Sequence, residues 1–557
     1  MIKDQLARLI HKAVESAVED GSLVLSGEIT LDDMKEPPNK ELGDFACNAA
    51  LSLARTVGKS PREVARIIQT HIPDNTLLDR VEIAGPGFLN LYLKPDWLYS
   101  VIRRVLVEDV KYGHSTDHAG ERVLLEFVSA NPTGPILVVQ GRAAALGDAL
   151  AALLETQGYE VAREYYINDY GNQVGNFGRS LDARYRQELG EDVPLPEDGY
   201  HGEYVRDLAI EIIREQGASL RDMPEEERAE RLGRLGVEKM VALQKKAMSD
   251  FGVSFDQWFH ESTLHPDAVA DTLAHLEREG HTYVKDGALW LKSTDFADDK
   301  DRPLRRSNGA TTYIAADAAY HRNKFDRGYN LLIDIWGPDH HGYIQRTKAA
   351  IAAQGYDPER LKVIIHQIVR LYSNGEIVVS SKRAGNVLAL DELIEEVGAD
   401  AARFFFLLRD SQSPLDFDLD LAKKESNENP VYYVQYAHAR ICSILKRAAD
   451  QGFAPVDPEK VDLSLLTHET ELALMRRLAD YPEDLTRFAN DFGPHGLTRA
   501  SMETAQTFHQ FYTQCLVLGD DADLSAARLA LCSAARIVLR NMLGILGVSA
   551  PESMSRQ

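Results

Sequence analysis

Between Arg122 and Ile167 the chain reads as strand, loop, helix and strand, and a connection of that length joins parallel strands rather than a hairpin. The first strand, VLLEF, is a short apolar run. The helix after it places Leu146, Leu150, Leu153 and Leu154 on one face and stops at Gly158. Residues 159–167 return to a strand pattern. Open parallel sheets bind ligands beyond the carboxyl ends of their strands, so residues 131–140 and 168–173 are expected side by side at a site.

The rest of the chain is organised around that unit. At 557 residues it exceeds one core. Residues 1–110 predict a small α+β domain, with helices at 6–18 and 61–70 and two strands around the Gly-Pro-Gly break at 85–87. Residues 111–425 predict the parallel-sheet domain, interrupted by a charged, mostly helical insertion at about 180–290. Alternating strand patterns resume at 281–294, 311–320, 329–343 and 361–381, and a helix is expected at 389–400. From 426 to 557 only amphipathic helices are expected, as a separate α-helical domain. The fold class is thus multidomain α/β with a Rossmann-type core.

The net charge of −24, from 86 acidic against 62 basic residues, argues against charge-driven binding of nucleic acid over the whole surface. Recognition of such a partner would need a local footprint. No stretch approaches the roughly 20 apolar residues that span a bilayer, and the first 21 residues alternate charged and apolar positions at helical spacing. A cytoplasmic protein is expected. Cys47, Cys442, Cys515 and Cys532 are scattered without metal-ligand spacing. Consecutive His340 and His341 beside Asp339 point apart and lack a third ligand, so no intrinsic metal is expected.

Ser129 to Pro135, SANPTGP, joins the first strand to its helix. Proline and glycine fix an unusual path there, and the helix start offers unpaired N–H groups to phosphate. Such a loop is equally a plain turn in any parallel α/β protein. It becomes specific in combination. EFVSANPTGP followed by GR, then REYYINDYGNQ, TTYIAADAAYHRNKFDRG, WGPDHHGY, SSKRAGNVLALDELIEEVGADAARFFFLLR and NPVYYVQYAHARI occur in the order found in bacterial arginyl-tRNA synthetases, and the chain resembles that class I family over nearly its whole length.

The resemblance implies ligation of arginine to tRNA(Arg) through an arginyl-adenylate, by a monomer that takes ATP with Mg2+ as substrate. It implies an arginine pocket of Glu126, Asn131, Gln173, Tyr313, Asp317 and Asp339, in which carboxylates meet the guanidinium. It implies ATP contacts at Thr133, Gly134, Gly141 and Lys382, the last in a loop where its ammonium faces the leaving pyrophosphate. In the helical domain, Tyr433, Tyr436 and Arg440 share a face suited to stacking on bases. The first domain resembles the one that meets the tRNA elbow, and the last the anticodon-binding domain. One departure stands out. The family's signature histidines are replaced by Leu137 and Gln140, with Val139 where glycine is usual. Leucine offers no hydrogen bond and glutamine no charge, which leaves open a catalytically weakened paralogue that binds arginine or tRNA.

Overall fold

The computed structural model describes residues 2–25, 34–37, 39–378 and 388–554. It divides into two compact units. The first comprises residues 1–112, 441–483 and 506–538. Its antiparallel sheet has Phe88–Leu93 in the middle, flanked by Phe45–Cys47 and Leu78–Ala84. The two longer strands flank the Gly-Pro-Gly turn as the sequence suggests, and Gly87 needs its positive φ of 146° there. The anticipated helices are Ile2–Glu19 and Pro61–His71. The second is capped by the Ser60 hydroxyl, which accepts from the Glu63 N–H at 3.3 Å. Within this unit the Tyr112 hydroxyl donates to the Leu478 carbonyl at 3.0 Å.

The second unit comprises residues 113–440, 484–505 and 539–557. At its centre lie five parallel strands: β1 (Arg122–Glu126), β2 (Glu160–Ile167), β3 (Gln257–His260), β4 (Leu331–Trp336) and β5 (Leu361–Ile365). Their order across the sheet is β5-β4-β1-β2-β3. The central strand is buried on both faces at Val123, Leu124 and Leu125, which is why it reads as a continuous apolar run instead of an alternation.

The helix after β1, α1 (Val138–Glu155), packs so closely that a Cβ on Gly147 would lie 2.3 Å from the Phe127 ring. Three helices follow β2 in sequence: α2 (Asn172–Glu188), α3 (Glu203–Gln216) and α4 (Glu225–Asp250). The charged stretch at 180–290 therefore contains helices, but it also contains β3, an edge strand of the main sheet. Four residues among charged neighbours are too short to show a period. Residues 311–320 differ from the strand expected of them. They open helix α5 (Tyr313–Asp326), because the alanines at 315, 316, 318 and 319 outweigh the β-favouring Thr-Thr-Tyr-Ile before them. Beyond it come α6 (Ile344–Ala353), α7 (Leu390–Val397) and α8 (Ala399–Phe406).

Helices α2 and α4 touch backbone to backbone at Gly178, where a Cβ would stand 2.3 Å from the Ala229 carbonyl oxygen. Backbone cannot swing aside as a flexible side chain can. Gly178→Ala is expected to destabilise the second unit by about 1–3 kcal/mol, read as a lower denaturant midpoint; an unchanged midpoint would show that the helices can separate at no cost.

Candidate functional site

Parallel register sets three acids abreast at the carboxyl edge of the sheet. Glu126 of β1 is level with Asp334 of β4 on one side and with Glu164 of β2 on the other. All three are buried, at 8%, 1% and 0% exposure. Such a row is tenable only with cations and donors supplied from above. Helix α5 supplies them at helical spacing. Lys324 donates to Glu126 Oε2 at 2.6 Å and to Asp334 Oδ1 at 2.8 Å, and its ammonium lies 4.4 Å from the Tyr320 ring centre. Tyr320 donates to Glu164 at 2.6 Å, and Arg327 makes two bonds to the same carboxylate at 2.5 and 3.0 Å.

One turn earlier on α5, His321 extends the row outward. Its Nε2 is 3.1 Å from Asp334 Oδ2, and its Nδ1 is 2.9 Å from the Asp317 carbonyl and 3.2 Å from Asp317 Oδ1. Thr347 of α6 donates to the other Asp317 oxygen at 2.8 Å. Burial alone would neutralise His321, but the Asp317 and Asp334 carboxylates prevail and raise its pKa to about 10. Burial likewise pushes Asp334 up, and Lys324 with His321 outweighs it, to about 2. Asp317 sits below the ordinary carboxylate range for the same reason: His321 and Thr347 overcome its desolvation. Glu126 is driven upward by burial, with Lys324 pulling against it.

A further acid was not foreseen from the sequence. Glu261 follows β3 directly, is buried to 6% exposure, and has its pKa raised to about 7 by burial, with the charges of Asp169 and Asp317 adding to it and a bond from Tyr166 opposing it. With its nitrogen turned to the acid, the Asn168 amide donates to Glu261 Oε2 at 2.8 Å. The sequence cue was present in QWFHE, an aromatic strand ending in an acid, but the charged surroundings hid it.

The loop after β1 is held from outside. Val128 and Ser129 adopt positive φ of 70° and 40°, which L-residues avoid. The Ser129 hydroxyl donates to Glu126 Oε1 at 2.9 Å and accepts from the Tyr166 N–H at 3.1 Å. Gln244 of α4 donates to the carbonyls of Asn131 and Gly134 at 3.0 and 2.9 Å, and Tyr204 of α3 to that of Thr133 at 2.8 Å. At the start of α1, Gln140 Oε1 accepts from the Leu137 N–H at 2.7 Å, so the glutamine caps its own helix. The Val138 N–H donates to the Leu388 carbonyl at 3.2 Å, and the Leu390 N–H to the Ile136 carbonyl at 2.8 Å.

The other expected residues fall as follows. Gly141 is turned inward, and a Cβ on it would meet Leu390 at 2.5 Å. Its smallness allows the close packing of α1 on α7. Tyr313 begins α5, one turn before Asp317, and is 71% exposed. The Asn131 side chain is exposed, and Gln173 buries an amide oxygen that meets no donor among the described residues. Asp339 lies exposed in the turn after β4, 3.4 Å from His340. Lys382 is outside the described residues. Tyr433, Tyr436 and Arg440 lie partly buried on the helix Pro430–Asp450. There the Arg440 guanidinium sits 4.6 Å from the Tyr436 ring centre and bonds its hydroxyl at 2.7 Å.

Comparison with known proteins gives matches along the whole chain. Residues 4–93 match the arginyl tRNA synthetase N terminal domain, residues 101–409 the catalytic domain of class I (R) tRNA synthetases, and residues 434–554 the DALR anticodon binding domain. An arginine–tRNA ligase of Carboxydothermus hydrogenoformans is 50% identical over 554 residues, covering 99% of each chain. One from Moorella thermoacetica is 50% identical over 536 residues, covering 95% of this chain and 96% of the relative. The solved structure of Thermus thermophilus arginyl-tRNA synthetase shares the fold, with a TM-score of 0.76 at 22% identity and complete coverage of both chains.

If Gln244 braces the loop, its loss should be visible without any ligand. Gln244→Ala is expected to speed backbone amide exchange at residues 128–135 roughly tenfold and to leave the interior of α1 unchanged; uniform exchange across both segments would assign Gln244 to general packing.

Proposed function

Because the chain belongs to the arginyl-tRNA synthetase family and joins arginine to tRNA at the expense of ATP, we propose that the carboxyl edge of its parallel sheet is the arginine pocket. The observation that supports this reading is the placement of two acids: Asp317, its carboxylate held by His321 and Thr347, and Glu261, buried directly after β3 and near enough for the Asp317 charge to raise its pKa. A planar cation leaving water is best met by two carboxylates. Glu126, Asn131, Gln173, Tyr313 and Asp339 complete the pocket in our assignment, and Glu126 is the natural partner of the substrate ammonium. Tyr313, open to solvent one turn from Asp317, is placed to close over the side chain.

ATP, carried in as its magnesium complex, is assigned to the loop at Thr133 and Gly134 and to the start of α1. The ion is read as part of the substrate, held chiefly by the phosphates. The arginine carboxylate attacks the α-phosphate, pyrophosphate leaves, and the terminal ribose hydroxyl of the tRNA then attacks the adenylate carbonyl and expels AMP. Side chains do little covalent work in either step, and positioning with charge stabilisation carries them. Gln140 bonds the Leu137 N–H through its oxygen, and its Nε2 has no partner among the described residues, so it remains a donor for phosphate. Leu137 contributes only its backbone. Lys382, six residues before Leu388 in sequence, is assigned to the pyrophosphate. Gly141 is assigned to holding the helix start against α7.

For tRNA(Arg) we assign residues 1–110 to the elbow, 426–557 to the anticodon, and Tyr433, Tyr436 and Arg440 to base contacts. The guanidinium over the Tyr436 ring supports this, as such pairs form platforms for unstacked bases. The functional protein is read as a cytoplasmic monomer. No helix among the described residues is long and apolar enough to cross a membrane.

The reading is tested by titration calorimetry with arginine and by charging of tRNA with labelled arginine. Glu261, with its pKa raised to about 7, must ionise to meet the guanidinium, so binding releases a proton. Arginine affinity is therefore expected to rise between about pH 6 and pH 8 and then level, and Glu261→Gln to weaken binding and abolish that dependence. Affinity that ignores pH in the unaltered protein would remove Glu261 from the pocket. In the activation step, Gln140→Leu is expected to slow adenylate formation roughly 100-fold with arginine affinity unchanged; a normal rate would exclude contact between Gln140 and the phosphates.

A further inference from the structure

Five side chains form one line of alternating charge: Asp317, His321, Asp334, Lys324 and Glu126. The successive contacts are 3.2, 3.1, 2.8 and 2.6 Å. The inner three side chains are 2%, 1% and 0% exposed, while Asp317, at one end of the line, is 32% exposed. Both ring nitrogens of His321 face acceptors, Asp317 on one side and Asp334 on the other. A neutral imidazole would aim a lone pair at one of them, so the ring must carry two N–H groups and a positive charge. Lys324 has an acid on each side and a ring beneath. Burying so many charges gains little stability over apolar side chains of the same volume, which leaves the presence of the line to be explained by what it does for its ends.

We infer that His321 and Lys324 are positioning residues for arginine: two enclosed cations that hold the Asp317 and Glu126 carboxylates aimed, so that the pocket has its final shape before the substrate enters. This rests on the assignment of Asp317 and Glu126 to arginine. The His321 ring orients Asp317 Oδ1 and the Thr347 hydroxyl fixes Oδ2, so the carboxylate does not have to be turned when the guanidinium arrives. Lys324 does the same at the far end, where Glu126 is also held by Ser129. Asp334 touches both cations and links the two ends of the pocket without itself reaching it.

The test is calorimetric binding of arginine, and separately of ATP, to full-length His321→Gln, Asp334→Asn and Asp317→Asn proteins, with thermal midpoints measured alongside. His321→Gln is expected to weaken arginine binding roughly ten- to a hundredfold, the worth of a charge-assisted hydrogen bond, and to leave ATP binding within about twofold; a general loosening of the fold would move both. Asp317→Asn sets the scale. If it weakens arginine binding while folded His321→Gln binds arginine normally, the positioning role is overturned and the pocket stands. If Asp317→Asn binds arginine normally, the pocket assignment fails and the positioning role with it. Should His321→Gln not fold, Asp334→Asn, which keeps a hydrogen-bonding group between the cations, carries the same expectation, and native arginine affinity in that protein overturns the proposal.

Discussion

Three acids set level on adjacent parallel strands are the condition to which the rest of the second unit answers. Glu126, Asp334 and Glu164 point to one face of the sheet, where mutual repulsion in a dry setting would unfold the edge without compensation. Helix α5 brings Tyr320, Lys324 and Arg327 onto that face, and it can do so only if its register on the sheet is fixed to within a fraction of a turn. The acids thereby specify the helix. In turn the helix carries Asp317 and Tyr313 one and two turns nearer its start, where they become more exposed. The charged row is therefore a locating device as well as a chemical one.

The loop after β1 obeys a second constraint of the same kind. Two residues other than glycine hold positive φ, a strain of about 1–3 kcal/mol each unless surroundings over-determine them. The surroundings do. Ser129 is bonded on both sides, and carbonyls at 131, 133 and 134 accept from Gln244 and Tyr204, which belong to helices that follow β2 in the chain. What looks in sequence like an appended charged insertion thus braces this loop. Its edge strand β3 pairs with β2 and leads directly into the buried Glu261.

Much of this was legible from residue patterns, and the exceptions have physical causes. The strand, loop, helix and strand from Arg122 to Ile167 announce themselves because a buried central strand and a leucine-faced helix leave strong patterns. Glu126 stood out as an acid ending an apolar strand. Asp317 was reachable only through the ordered motifs. His321 and Lys324 were not singled out, since a histidine and a lysine on a helix ordinarily face solvent, and nothing local says that two acids from strands distant in sequence will meet them. Glu261 was hidden by the brevity of β3. That Gly141 lies against Leu390 and Phe406 was not legible either, because position alone cannot show which side of α1 another helix covers.

The replacements at the start of α1 fit together once the helix cap is considered. Leu137 stands at the N-cap, where a leucine side chain has no oxygen to offer the first unpaired N–H groups. Gln140, three residues on, bonds back to the Leu137 N–H and restores half of a reciprocal cap. The flanking pairings of Ile136 and Val138 with residues 388 and 390 hold the same turn from the other side. The helix start is thus kept in place by backbone and by one amide, so the N–H groups and partial positive charge that favour a phosphate survive the absence of imidazole. In this chain the two positions work as a pair: the leucine offers no side-chain cap, and the glutamine repairs the cap through its oxygen while its Nε2 keeps no partner among the described residues.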